Sequence, residues 1–106
     1  MTCRYMRVLV FFDLPMLSSE DRKAYTRFRK FLINDGYMML QESVYCKLAM
    51  NQNSVNALIL RIKQNKPNAG LVQALTITEK QFACMELIIG DKNNDIVDSS
   101  ERMIVL

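Results

Sequence analysis

The chain has 106 residues, with 14 Lys and Arg against 11 Asp and Glu and a formal net charge of +3, a length that suits one domain and leaves little for a second independent core. Half of its residues are hydrophobic and 24% are charged, the balance of a globular protein, and no apolar run approaches the roughly 20 residues of a membrane helix. Histidine is absent and the three cysteines, Cys3, Cys46 and Cys84, are scattered without a CxxC pair, which argues against a zinc site, a disulfide framework and histidine-based acid–base chemistry. Any catalysis must then use carboxylates, hydroxyls and a hard, oxygen-preferring cation. The charge is uneven: residues 1–66 carry eleven Lys and Arg against five acids, and residues 67–106 carry three against six. The first part suits an anion such as nucleic acid, and the second suits a basic partner surface.

Tyr5 to Phe12 is β-branched, aromatic and almost unbroken, the pattern of a strand buried on both faces. Arg4 and Arg7 sit at its start with no small-residue cleavage site behind it, so the cytoplasm is the expected location. Asp13 ends the strand, because Leu14-Pro15 follows and proline cannot donate to a ladder. Ser18 or Ser19 can cap the helix that comes next, with Glu20 and Asp21 in its first turn, where the helix dipole favours anions. Ala24, Phe28, Phe31 and Leu32 recur at helical spacing and define its buried stripe. Gly36 then suits the left-handed position just past its end.

Tyr37 to Leu48 reads as a strand region with a tight turn near Gln41–Ser43, giving a short strand and a longer one. Asn51 to Asn53 offer caps for a second helix, whose Val55, Leu58, Ile59 and Ile62 follow the i, i+3, i+4, i+7 pattern. Lys66 to Gly70 is a turn and Leu71 to Thr78 a strand. Thr78-Glu79-Lys80-Gln81 resembles a capping box and predicts one helical turn. Met85 to Ile89 is expected as a short strand, 90–100 as a polar loop, and Arg102 to Leu106 as a last strand.

The order β-α-β-β-α-β predicts an α+β, ferredoxin-like sandwich with appended C-terminal strands, both helices lying on one face of an antiparallel sheet. Residues 1–106 form that single domain, with residues 79–106 as a C-terminal extension. The first strand is apolar on both parities, Val8, Val10 and Phe12 alternating with Leu9 and Phe11. Something must therefore cover the second face. A two-fold homodimer is the simplest cover, and the C-terminal extension can pack on the partner protomer by adding to its sheet edge.

Within nine residues of the first helix, Arg22, Lys23, Arg27, Arg29 and Lys30 occur with no acid among them. At about 100° per residue, Lys23, Arg27 and Lys30 line one flank of the apolar stripe and Arg22 and Arg29 the other. A merely solvated helix tends to mix signs at i, i+4, and this one does not. Doubled in a dimer, the cluster suits phosphate contact without sequence reading, with Arg4 and Arg7 extending the path and Lys63 and Lys66 as weaker candidates.

The segments Arg7 to Pro15, Glu20 to Leu32, Gln41 to Tyr45, Thr76 to Phe82 and Glu101 to Leu106 together resemble the CRISPR-associated "Cas two" family. The likeness is greatest to the members that accompany Cas nine systems (type II-A). It spans essentially the whole chain, and its specificity lies in the order of the five segments. The resemblance implies a central dimer that bridges two dimers of the integrase subunit and holds a short duplex DNA for insertion as a new spacer. It also implies a magnesium-dependent endonuclease, using Mg²⁺ or Mn²⁺, whose metal-binding and catalytic aspartate is Asp13. The residues themselves leave both roles open. An aspartate beside a proline also ends strands for purely local reasons, and phosphodiester cleavage usually draws on several carboxylates.

Overall fold

A computed structural model describes residues 5–90. In chain order the elements are β1 (Met6–Asp13), α1 (Ser19–Asn34), β2 (Met38–Gln41), β3 (Val44–Ala49), α2 (Gln52–Gln64), β4 (Leu71–Thr78) and α3 (Glu79–Ala83). The four strands form one antiparallel sheet in the order β2-β3-β1-β4. Both inner connections cross a neighbouring strand by way of a helix, so the α+β ferredoxin-like arrangement expected from the β-α-β-β-α-β order is the one observed.

The helices start and stop where the local chemistry dictates. Ser18 caps α1 by accepting from the Asp21 backbone N–H at 3.0 Å, and the Asp21 carboxylate accepts in return from the Ser18 N–H at 3.2 Å, a reciprocal capping box. At the other end the Tyr37 N–H reaches the Leu32 carbonyl and the Gly36 N–H reaches that of Ile33. This is a Schellman closure, and it requires the positive φ of 97° that Gly36 adopts. Asn51 caps α2, and Thr78 with Gln81 forms the capping box of α3.

The core lies between the helices and one face of the sheet. Val8, Val10 and Phe12 from β1 and Tyr45 and Ala49 from β3 meet Phe28 and Leu32 of α1 and Val55, Leu58 and Ile62 of α2. Phe12 is its aromatic centre, with ring centroids 5.3 Å from Phe28 in an edge-to-face pair and 5.6 Å from Tyr45. That packing fixes the end of β1, one residue before Asp13. The Arg61 guanidinium grips the Asp35 carboxylate with both contacts at 3.1 Å and joins α2 to the C-terminus of α1. Lys47 donates to the Asp35 carbonyl, a cation at the negative end of the helix dipole.

Side chains of opposite parity emerge on the sheet's other face: Arg7, Leu9, Phe11 and Asp13 from β1, paired with Ile77, Leu75, Gln73 and Leu71 of β4. Neither α1 nor α2 covers this face. Leu71, Leu75 and Leu48 are exposed on it, while Cys46 is fully buried beside Arg7.

One expectation is corrected. Met85 to Ile89 forms no strand; the segment runs on from α3 without ladder partners, and Leu87, Ile88 and Ile89 are 78%, 84% and 86% exposed. A strand needs an edge to pair with, and within the described residues this segment meets none. Arg4, Cys3 and the expected strand Arg102 to Leu106 lie outside the described residues.

Candidate functional site

Asp13 is the last residue of β1, exposed, and opposite Leu71 on the open face. It borders a shallow depression of about 230 Å³ whose other walls include Phe11, Val44, Leu71, Ser43 and Gln73. The Glu42–Ser43 turn is held beside it by the Phe12 N–H, which donates to the Ser43 carbonyl at 3.1 Å. On the other side sits Gly70, with φ of 99°. A Cβ there would meet the Asp13 carbonyl at 2.8 Å and the Leu14 Cδ2 at 2.7 Å. Only glycine permits this approach of the α2–β4 turn to the strand end.

Asp13 is the one acid on the walls of the depression, and no group of three or more His, Cys, Asp or Glu side chains occurs among the described residues. Its donor set is a carboxylate, a serine and a primary amide. Mg²⁺ keeps several waters and takes one or two protein carboxylates, so these oxygens fit a hydrated Mg²⁺ held through Asp13. Among the described residues no second carboxylate joins Asp13 there.

The basic residues of α1 are all exposed, but they are not equivalent. Arg29 donates its Nε–H to the hydroxyl of the fully buried Tyr45 at 2.9 Å, so part of its work is internal. Arg22 reaches the Met16 and Leu17 carbonyls at 3.4 Å and steadies the loop before the helix. Lys23, Arg27 and Lys30 make no hydrogen bond or ion pair among the described residues. The flank expected from helical spacing is therefore the one with free cations. Arg27 also faces a cleft of about 220 Å³ that it shares with Lys66 and Asn68 of the α2–β4 turn and with Glu20 and Asp21. The structure thus places Lys66 and Arg27, two cations from separate elements, on one cleft, which spacing alone leaves unrelated.

Arg7 is a different case. Its guanidinium binds both oxygens of Glu79, at 2.7 and 3.1 Å, lies 4.4 Å from the centre of the Phe82 ring and points one nitrogen at the Cys46 sulfur, 3.6 Å away. The hydrogen bond from Arg7 holds the Glu79 carboxyl below the usual carboxylate range, and the same bond raises the guanidinium further. The side chain is 18% exposed. Arg7 is thus engaged inside the chain, on the open sheet face. No signal in the sequence links it to a carboxylate 72 positions away.

These features define a small ferredoxin-like protein with three cations of one helix unpaired among the described residues and a single strand-end carboxylate on a sheet face that α1 and α2 leave uncovered. The family model described as CRISPR associated protein Cas2 matches residues 6–85. Relatives that match the chain carry the name "CRISPR-associated endoribonuclease Cas2". That of Treponema denticola is 48% identical over 101 residues, covering 95% of this chain and all of the relative. That of Streptococcus mutans serotype c is 45% identical over 101 residues, covering 95% and 93%. That of Acidovorax ebreus is 52% identical over 85 residues, covering 80% and 83%. The chain belongs to the CRISPR associated protein Cas2 family, a component of CRISPR defence, as the five ordered segments imply.

Proposed function

We propose that this chain is the dimeric, duplex-binding subunit of CRISPR spacer acquisition, bridging integrase dimers while it holds the DNA to be inserted. The observation that carries this reading is the row of Lys23, Arg27 and Lys30, exposed on one helix and without partners among the described residues. Folding gains nothing from three uncompensated like charges on one flank, whereas a phosphate backbone neutralises them and releases its counterions. Such contacts position a duplex without reading its sequence, which suits a subunit that must accept any spacer. The two-fold copy doubles the row, and the bare sheet face supplies an apolar surface through which two copies can join.

The test is the double substitution Arg27→Glu and Lys30→Glu. Both side chains are exposed, so the dimer is expected to form normally. Duplex affinity is expected to fall by about 100-fold or more, and spacer acquisition to stop. Acquisition at the normal rate in this variant refutes the role of the helix.

A second reading rests on a separate observation. Asp13 is exposed at the rim of a depression whose oxygens fit a hydrated Mg²⁺, and the relatives bear the name endoribonuclease. In this reading the Asp13 carboxylates of two copies would hold the ion, which would offset their mutual repulsion. The metal, when bound, polarises a phosphoryl oxygen and acidifies a water. The chain's own contribution is to orient that carboxylate through the Phe12 packing and the Gly70 approach. Asp13→Asn is expected to abolish magnesium-dependent cleavage by the purified protein while sparing acquisition, because a scaffold needs only the fold. Cleavage that persists in Asp13→Asn sinks this reading.

A further inference from the structure

The same strand that ends in Asp13 begins with Arg7, and the arrangement there is more elaborate than an anion-binding role requires. A phosphate-binding arginine keeps its planar fork free. Arg7 instead spends it on Glu79, with its face against Phe82 and one nitrogen on Cys46. Glu79 and Phe82 are the first and fourth residues of α3, so a single side chain of the sheet holds both ends of that turn. The backbone adds one bond, from the Glu79 N–H to the Tyr5 carbonyl at 3.1 Å. Directly after α3 come Met85, Leu87, Ile88 and Ile89, all exposed apolar residues.

We propose that Arg7 is a latch that seats α3 against the open sheet face and so fixes the point from which Met85–Ile89 reach a second copy of the chain. This rests on the dimer of the proposed function. The occupant is a second copy because both halves of the contact are present in one chain: an apolar segment leaving α3 and an apolar sheet face with Leu71 and Leu75 exposed. A two-fold axis matches each to the other. Ordering the start of the segment lowers the entropy that docking must overcome. Arg7 is accordingly a positioning residue and makes no phosphate contact.

Arg7→Met keeps an apolar stem and removes the fork. In the full chain, hydrogen exchange at the Glu79, Cys84 and Met85 amides is expected to quicken about tenfold, with α1 amides unchanged, and dimer dissociation measured by sedimentation to rise by a similar factor. Arg7→Lys, which retains charge and loses the two-pronged grip, is expected to fall between. At protein concentrations that saturate the dimer, the salt dependence of duplex binding should match that of the unsubstituted chain. If Arg7→Met folds poorly, Glu79→Gln breaks the pair from its more exposed side and is expected to give the same changes. Unaltered exchange and dissociation in a chain that does dimerise overturn the latch alone, as does a loss of about one phosphate contact per copy in the salt slope. A wild-type chain that stays monomeric overturns the dimer reading and the latch together.

Discussion

The two faces of β1 differ in what the chain does with similar apolar residues. On one face Val8, Val10 and Phe12 are sealed by α1 and α2 into a core of interlocked aliphatic and aromatic side chains. On the other, the buried Leu9 and the half-buried Phe11 lie between a largely covered cation at one end, Arg7, and an exposed carboxylate at the other, Asp13. The first face is finished by the chain itself. The second is furnished with chemistry, meets only α3 at its Arg7 end and is left uncovered by α1 and α2, which is where a small domain gains most from another copy.

Three changes test this contrast, from the largest effect to the smallest. Phe28 is 1% exposed and closes the core over Phe12. Phe28→Ala is expected to cost about 3–5 kcal/mol in denaturant unfolding, because it leaves a cavity that a dense core only partly fills. A cost near that of a surface substitution would mean that the covered face is not the stabilising one.

The second concerns a polar flaw on that face. The Tyr37 hydroxyl is buried without a hydrogen-bond partner among the described residues. Burial, helped by the Asp35 charge and opposed by Arg61, pushes its pKa up to about 12. The unfolded chain loses this proton near 10 and the folded chain near 12, so between those values the folded state binds more protons. Stability conferred by the neutral phenol is complete below pH 10 and falls on the order of 2 kcal/mol as pH rises towards 12. Tyr37→Phe is expected to remove this part of the alkaline loss and to be neutral or stabilising at pH 7, since it deletes an unpaired buried hydroxyl. Thermal unfolding of both proteins across that range checks it.

The third moves to the open face. Leu75 lies opposite Leu9 and is 51% exposed. Leu75→Asp is expected to change the stability of a single copy by no more than about 0.5 kcal/mol, while abolishing the dimer in sedimentation. A variant that dimerises normally would show that copies join elsewhere.

Much of this was legible in the sequence, for local reasons. Period and capping gave β1, both long helices, the Gln41–Ser43 turn and the one-turn α3, since Ser18, Gly36, Asn51 and Thr78 each act on backbone groups within a few residues. The free flank of Lys23, Arg27 and Lys30 followed from helical geometry. The Met85–Ile89 strand did not appear, because apolar character predicts burial and says nothing of which edge supplies it. Arg7 read as one more cation in a basic half, although its fork was already committed to a carboxylate 72 residues away.

By itself, then, the sequence determined the element order, the caps, the stripe that each helix buries and the strand-ending position of Asp13, all consequences of side-chain period and short-range hydrogen bonding. Tertiary structure alone decided what those elements face. It set Arg7 on Glu79, Lys66 on the cleft that Arg27 lines and Gly70 against Asp13. Each of these pairings depends on a sheet whose neighbouring strands are distant in the chain, and no local pattern encodes that distance.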